Sequence, residues 1–137
     1  MNAQILRLSA PIIKPMFIAL SIYVLYRGHN QPGGGFIGGL LAASGYVYYM
    51  MAFDVESALK KMIAPPFTII ATGLTLAFSS GFLAIFNQQP FMTGKWISIL
   101  GIKLGTPTLF DIGVYFTVLG VLVSIMSAIL DKEKSWH

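Results

Sequence analysis

The chain has 137 residues, 55% hydrophobic and only 10% charged, with a mean hydropathy of +0.74 and a net charge of +4. A soluble domain carries about 25% charged residues to cover its surface, so this composition excludes an ordinary water-soluble globule and points to lipid as the solvent. Absence of cysteine excludes disulfides, thiolate catalysis and Cys-ligated metals, and the scattered basic residues form no nucleic-acid-binding patch.

Four apolar runs, the first broken by a single Lys, predict an all-α, integral membrane four-helix protein. The spans fall at residues 8–26, 36–53, 67–86 and 112–130, in one transmembrane domain covering 1–137, with short loops and a longer third, external loop. At about 1.5 Å rise per residue, runs of this length match a hydrocarbon core of roughly 30 Å.

The first helix is expected to start at an N-cap on Ser9, with Pro11 in its first turn and Pro15 bending it one turn deeper. It ends in Tyr23-Val24-Leu25-Tyr26-Arg27-Gly28, which lacks the small residues of a signal cleavage site, so the run reads as a retained span. Lys14 lies between the two prolines. Snorkelling of its flexible stem to the interface and a part in moving ions both fit that position. The next loop, residues 27–32, is too short for an insertion and makes the first two helices antiparallel neighbours. His29 in this loop has an unperturbed pKa near 6.5, suited to proton exchange at the membrane surface, although loop histidines commonly bond neighbouring backbone.

The second helix follows Pro32, Gly33, Gly34 and Gly35. Gly34, Gly38 and Ala42 recur every four residues, as do Gly35, Gly39 and Ala43, giving a smooth face for a neighbouring helix. The helix leaves at Asp54-Val55-Glu56, whose carboxylates stand two apart and face opposite ways. Pro65-Pro66 starts the third helix, where Gly73, Ala77 and Gly81 form another small-residue stripe. Thr68, Thr72, Thr75 and Ser79 share one face of it. A hydroxyl row can line an aqueous path or bond back to its own backbone.

In the third loop, residues 87–105, Trp96-Ile97-Ser98-Ile99 and Ile102-Lys103-Leu104 fit either a small hairpin or an interfacial half-helix, anchored by Lys95 and Trp96. A fourth helix starting at Thr106, with Pro107 in its first turn, places Asp111 inside the hydrocarbon boundary, where a carboxylate can hand on a proton or bind a desolvated cation. A capping box over Thr108-Leu109-Phe110-Asp111 instead leaves Asp111 at the interface. Gly120, Ser124 and Ala128 make the last stripe. So many smooth faces on four helices lead us to expect that at least one meets a partner subunit.

Arg7, Lys14, Lys60, Lys61, Lys132 and Lys134 fall on one side of the membrane, and Arg27, Lys95 and Lys103 on the other. This bias puts both termini in the cytoplasm. No metalloprotease motif, Ser-His-Asp spacing or paired intramembrane carboxylate occurs, and the glycine run lacks the Lys-Ser/Thr of a phosphate loop. Neither enzymatic activity nor a cofactor or metal is expected.

The stretch Gly28-His29-Asn30-Gln31-Pro32-Gly33-Gly34-Gly35-Phe36-Ile37-Gly38-Gly39-Leu40-Leu41-Ala42-Ala43 resembles the signature of the B-type subunits of the Mrp-type multisubunit cation/proton antiporters. Gly105-Thr106-Pro107-Thr108-Leu109-Phe110-Asp111-Ile112-Gly113-Val114-Tyr115 resembles that family's second signature. The resemblance implies an accessory subunit among other integral membrane subunits of a bacterial or archaeal cell membrane, in a complex exchanging Na⁺ for H⁺. The resemblance extends to related hydrogenase complexes, which contain a subunit of this type, so a purely structural subunit of a membrane-bound hydrogenase or complex I-like assembly stands as the alternative. A free-standing exporter is disfavoured, because no acid lies in the middle of any span.

Overall fold

The computed structural model describes residues 3–28, 34–86, 96–99 and 102–135, with side chains described for 4–28, 34–82 and 109–131. Four long helices carry the fold: α1 (Ala3–Arg27), α2 (Gly34–Ala52), α4 (Pro66–Phe86) and α5 (Thr106–Ser135). A short α3 (Val55–Lys60) lies between α2 and α4, and strands β1 (Trp96–Ile99) and β2 (Ile102–Gly105) precede α5. α1, α2 and α5 are long and apolar enough to cross a membrane. The part of α4 with described side chains, Pro66–Phe82, is an apolar helix that carries no charge, and the full 21 residues reach about 30 Å.

The long helices form an open row rather than a closed bundle. α4 packs on α5, α5 on α2, and α2 on α1, while α1 reaches α5 only over a small contact. The outward side of α1 carries Leu8, Ile12, Met16, Ile22 and Tyr26, and that of α4 carries Phe67, Leu74, Phe78 and Phe82, all exposed. In water such surfaces would drive aggregation, whereas in lipid they cost nothing.

Close backbone approach holds the row together. Gly73 of α4 and Gly113 of α5 face each other, and a Cβ on Gly113 would stand 2.6 Å from both the Ala77 nitrogen and the Gly73 oxygen. Gly120 meets α4 likewise, with Ile70 Cγ1 2.6 Å from its would-be Cβ. Gly39 lies against Tyr115 and Val118, and Gly45 against Lys14 and Phe17. The small-residue faces of the second and third helices are therefore spent on neighbours within the chain. Only Ala128, at the far end of the last stripe, stays exposed, which corrects the expectation of a whole stripe left for a partner.

Two features differ from those expected, and at α5 the structure decides between two alternatives. α1 begins at Ala3, not at an N-cap on Ser9, and Pro11 and Pro15 sit inside it. Ser9 Oγ donates to the Ile5 carbonyl at 2.7 Å and is hydrogen-bonded to Tyr48 Oη at 2.7 Å. In an apolar solvent a helix keeps its internal bonds and tolerates proline, and a serine inside it bonds backward instead of capping. α5 begins at Thr106, ahead of the Thr108 cap, because β2 runs straight into it and Pro107 suits a first turn. The connection after α2 contains α3, capped by Asp54, whose Oδ1 accepts from the Ser57 N–H at 2.6 Å.

The third loop takes the hairpin rather than the half-helix alternative. β1 and β2 pair antiparallel with Trp96 opposite Gly105 and Ile99 opposite Ile102.

Candidate functional site: a polar seam between α1, α2 and α5

The start of α2 sets the geometry. Gly34 has φ +36°, in the left-handed region that penalises any residue with a Cβ. A Cβ there would lie 2.6 Å from Asp111 Oδ2, and one on Gly35 would collide with the Asp111 carbonyl oxygen. The Asp111 carboxylate thus rests on the N-terminal end of α2, where unpaired N–H groups leave partial positive charge that favours an anion. Asp111 is only partly buried, and it is the sixth residue of α5. The preceding turn closes equally tightly, since a Cβ on Gly28 would run into the Gly34 Cα.

One helical turn deeper, Tyr115 stacks on the bare Gly38 backbone, with its ring carbons 3.0 to 3.2 Å from where a Cβ would sit. Its hydroxyl is 2.7 Å from Ser21 Oγ on α1. Ser21 also donates to the Ile18 carbonyl at 2.6 Å and is wholly buried. This pair joins α1 to α5 over the smooth face of α2. It satisfies two hydroxyls that would be costly to bury alone.

Beyond it on α2 come Tyr46 and Tyr49, both buried. The Lys14 ammonium lies 5.1 Å from the Tyr46 ring centroid and 5.7 Å from that of Tyr49, and Lys61 Nζ lies 5.7 Å from Tyr49. Lys14 thus places its charge along the seam against the aromatic rings near the end of α2.

Asp111, Gly34, Gly35, Gly38, Gly39, Ala42 and Lys14 all line or border this seam. Phe36 does not; it is 57% exposed on the outer side of α2. Thr75 is also apart. It is exposed on α4, with its hydroxyl donating to the Ala71 carbonyl at 2.8 Å, and Thr72 likewise bonds back to Thr68. Thr106 and Pro107 form the first turn of α5, and their side chains lie outside the described residues, as do His29, Pro32 and Gly33 altogether. Sequence reasoning missed Ser21, Tyr115, Tyr46 and Tyr49. Tyr115 carried a signal, four residues after Asp111 on the same helix face. Ser21 carried none, because its partner is 94 positions away. Among the described residues no His, Cys, Asp or Glu cluster could hold a metal ion.

Comparison with known proteins places this arrangement. The chain is 36% identical over 138 aligned positions to the B-type subunit of the Na(+)/H(+) antiporter of Alkalihalophilus pseudofirmus, covering 96% of this chain and 95% of that one. It is 34% identical over 130 positions to the putative antiporter subunit mnhB2 of Staphylococcus aureus strain Newman, covering 91% and 92%. It also superposes on the structure of the Mrp complex from Dietzia sp. DQ12-45-1b with a TM-score of 0.80 and 33% identity. That match covers 94% of this chain and spans only 14% of the matched chain. Residues 5–124 match the family described as a domain related to the MnhB subunit of Na+/H+ antiporters, and the chain belongs to that family.

Proposed function

We propose that the chain is the non-enzymatic MnhB-type subunit of an Mrp-type Na⁺/H⁺ antiporter in a bacterial or archaeal cell membrane. It assembles with other integral membrane subunits and contributes polar groups to the route of the transported ion where two subunits meet. One observation carries this reading: Asp111 is held at the start of α5 against the N-terminal end of α2, with the Tyr115–Ser21 pair one turn deeper. A glycine with positive φ and a second bare glycine clear the space for the carboxylate. Partial exposure keeps it within reach of an ion or a proton. The described polar groups do not amount to a continuous ion path through this chain alone, so partners supply the rest.

The competing reading, a purely structural subunit, draws on the number of glycine contacts and on the absence of an acid in mid-span. Asp111→Asn in the complete complex separates the two. Na⁺-driven proton exchange in everted vesicles is measured beside recovery of the intact complex. Loss of exchange with normal assembly supports a place on the ion route, while unchanged exchange supports the structural reading.

A further inference from the structure

The end of the seam farthest from Asp111 holds two lysines converging on one ring. Lys14 arrives from α1 and Lys61 from the residue after α3, each with its ammonium 5.7 Å from the Tyr49 centroid. Neither makes an ion pair among the described residues, whereas the adjacent Lys60 pairs with Glu56 at 3.0 Å. Two like charges gathered at one ring repel each other. A ring also offers little to the three N–H donors that each ammonium carries. An anion with several acceptor oxygens would relieve both deficits.

The setting identifies which anion. Tyr49 lies three residues before α2 ends at Ala52, and Lys61 lies between α3 and α4, so both cations stand at the level of lipid headgroups. The same end exposes Met51, Phe53, Ile63 and Phe67, with Ile63 fully exposed at 103% of its reference area. A cationic pair beside exposed apolar side chains fits a molecule that is anionic at one end and hydrocarbon at the other. A carboxylate on a neighbouring subunit would answer the charge but offers no hydrocarbon end to match the apolar side chains beside it, and the test below separates the two. We propose that Lys14 and Lys61 bind the phosphate of an anionic phospholipid at the inner end of the α1–α2 contact, its acyl chains lying on the apolar side chains exposed there. This site is separate from Asp111 and does not depend on which ion the complex moves.

The test uses the assembled complex in phosphatidylcholine vesicles carrying a photoactivatable phosphatidylglycerol probe, with labelled peptides mapped by mass spectrometry. Labelling is expected on the segment from Tyr49 to Phe67, competed by unlabelled phosphatidylglycerol and not by extra phosphatidylcholine. Lys14→Gln and Lys61→Gln are each expected to weaken that competition about fivefold. Lys60→Gln leaves it unchanged, and the Lys14→Arg/Lys61→Arg double variant retains it, which separates lost charge from lost folding. Equal labelling by a phosphatidylcholine probe overturns the proposal, as does labelling indifferent to both glutamine variants. Displacement of the probe by inorganic phosphate would assign the lysines to a free anion. Loss of partner subunits with labelling intact would assign them to a protein carboxylate.

Discussion

Asp111 and Gly34 occupy one another's space: the carboxylate of the first lies where the side chain of the second would be, with Oδ2 2.6 Å from the would-be Cβ. The acid is held directly against the backbone of another helix.

Gly34→Ala therefore carries two penalties. Forcing a Cβ into the left-handed region costs about 1–2 kcal/mol, and the added methyl must displace the carboxylate. A lowered thermal transition of the purified complex is expected, together with impaired exchange. Ser44→Ala, on the exposed side of the same helix with its hydroxyl bonded back to Leu40, should leave both unchanged. Equal transitions for the two variants would show that the α2 start tolerates a side chain.

Ser21 and Tyr115 should behave as a unit. Ser21→Ala or Tyr115→Phe each leaves one buried hydroxyl without its cross-helix partner, a loss of about 0.5–2 kcal/mol in a membrane protein. The double variant should lose less than the sum of the two, because the second change removes a hydroxyl that has already lost its partner. Strict additivity in denaturant unfolding would mean that the hydroxyls contribute separately.

The two faces of α4 should respond in opposite ways. Gly113→Leu drives a side chain into the α4 backbone at Gly73 and Ala77, so the subunit should fail to accumulate in the complex, read by co-purification. Thr75→Val removes only a hydroxyl bonded to its own helix, and its effect on stability should stay within about 0.5 kcal/mol with exchange unaltered. Loss of exchange in an assembled Thr75→Val complex would instead place the hydroxyl row on the ion route.

Much of the architecture was legible because lipid imposes a long, uniform signal. Expected spans and observed helices agree closely for α2 and α4, where Gly and Pro mark the starts. Local reading faltered where a residue has two uses. Ser9 looks like a cap but bonds backward inside a helix that lipid keeps intact, and Asp54, read only as a carboxylate at a helix end, is the cap of α3. Of the candidate site, Asp111 and the glycines were visible in their motifs, but the hydroxyl pair beneath them was not.

The four long apolar helices, their smooth stripes and the scarcity of charge within them were determined by the sequence alone, since each depends on residues close together in the chain and on the solvent. The order α1–α2–α5–α4, the use of nearly every stripe within the chain, and the meeting of Asp111 with Gly34 and of Ser21 with Tyr115 were decided only by the tertiary structure. The physical reason is that apolar helices in an apolar solvent gain nothing by sorting hydrophobic from polar faces. Which stripe seats which helix is then settled by shape and by a few hydroxyl bonds, and neither is written at any fixed spacing along the chain.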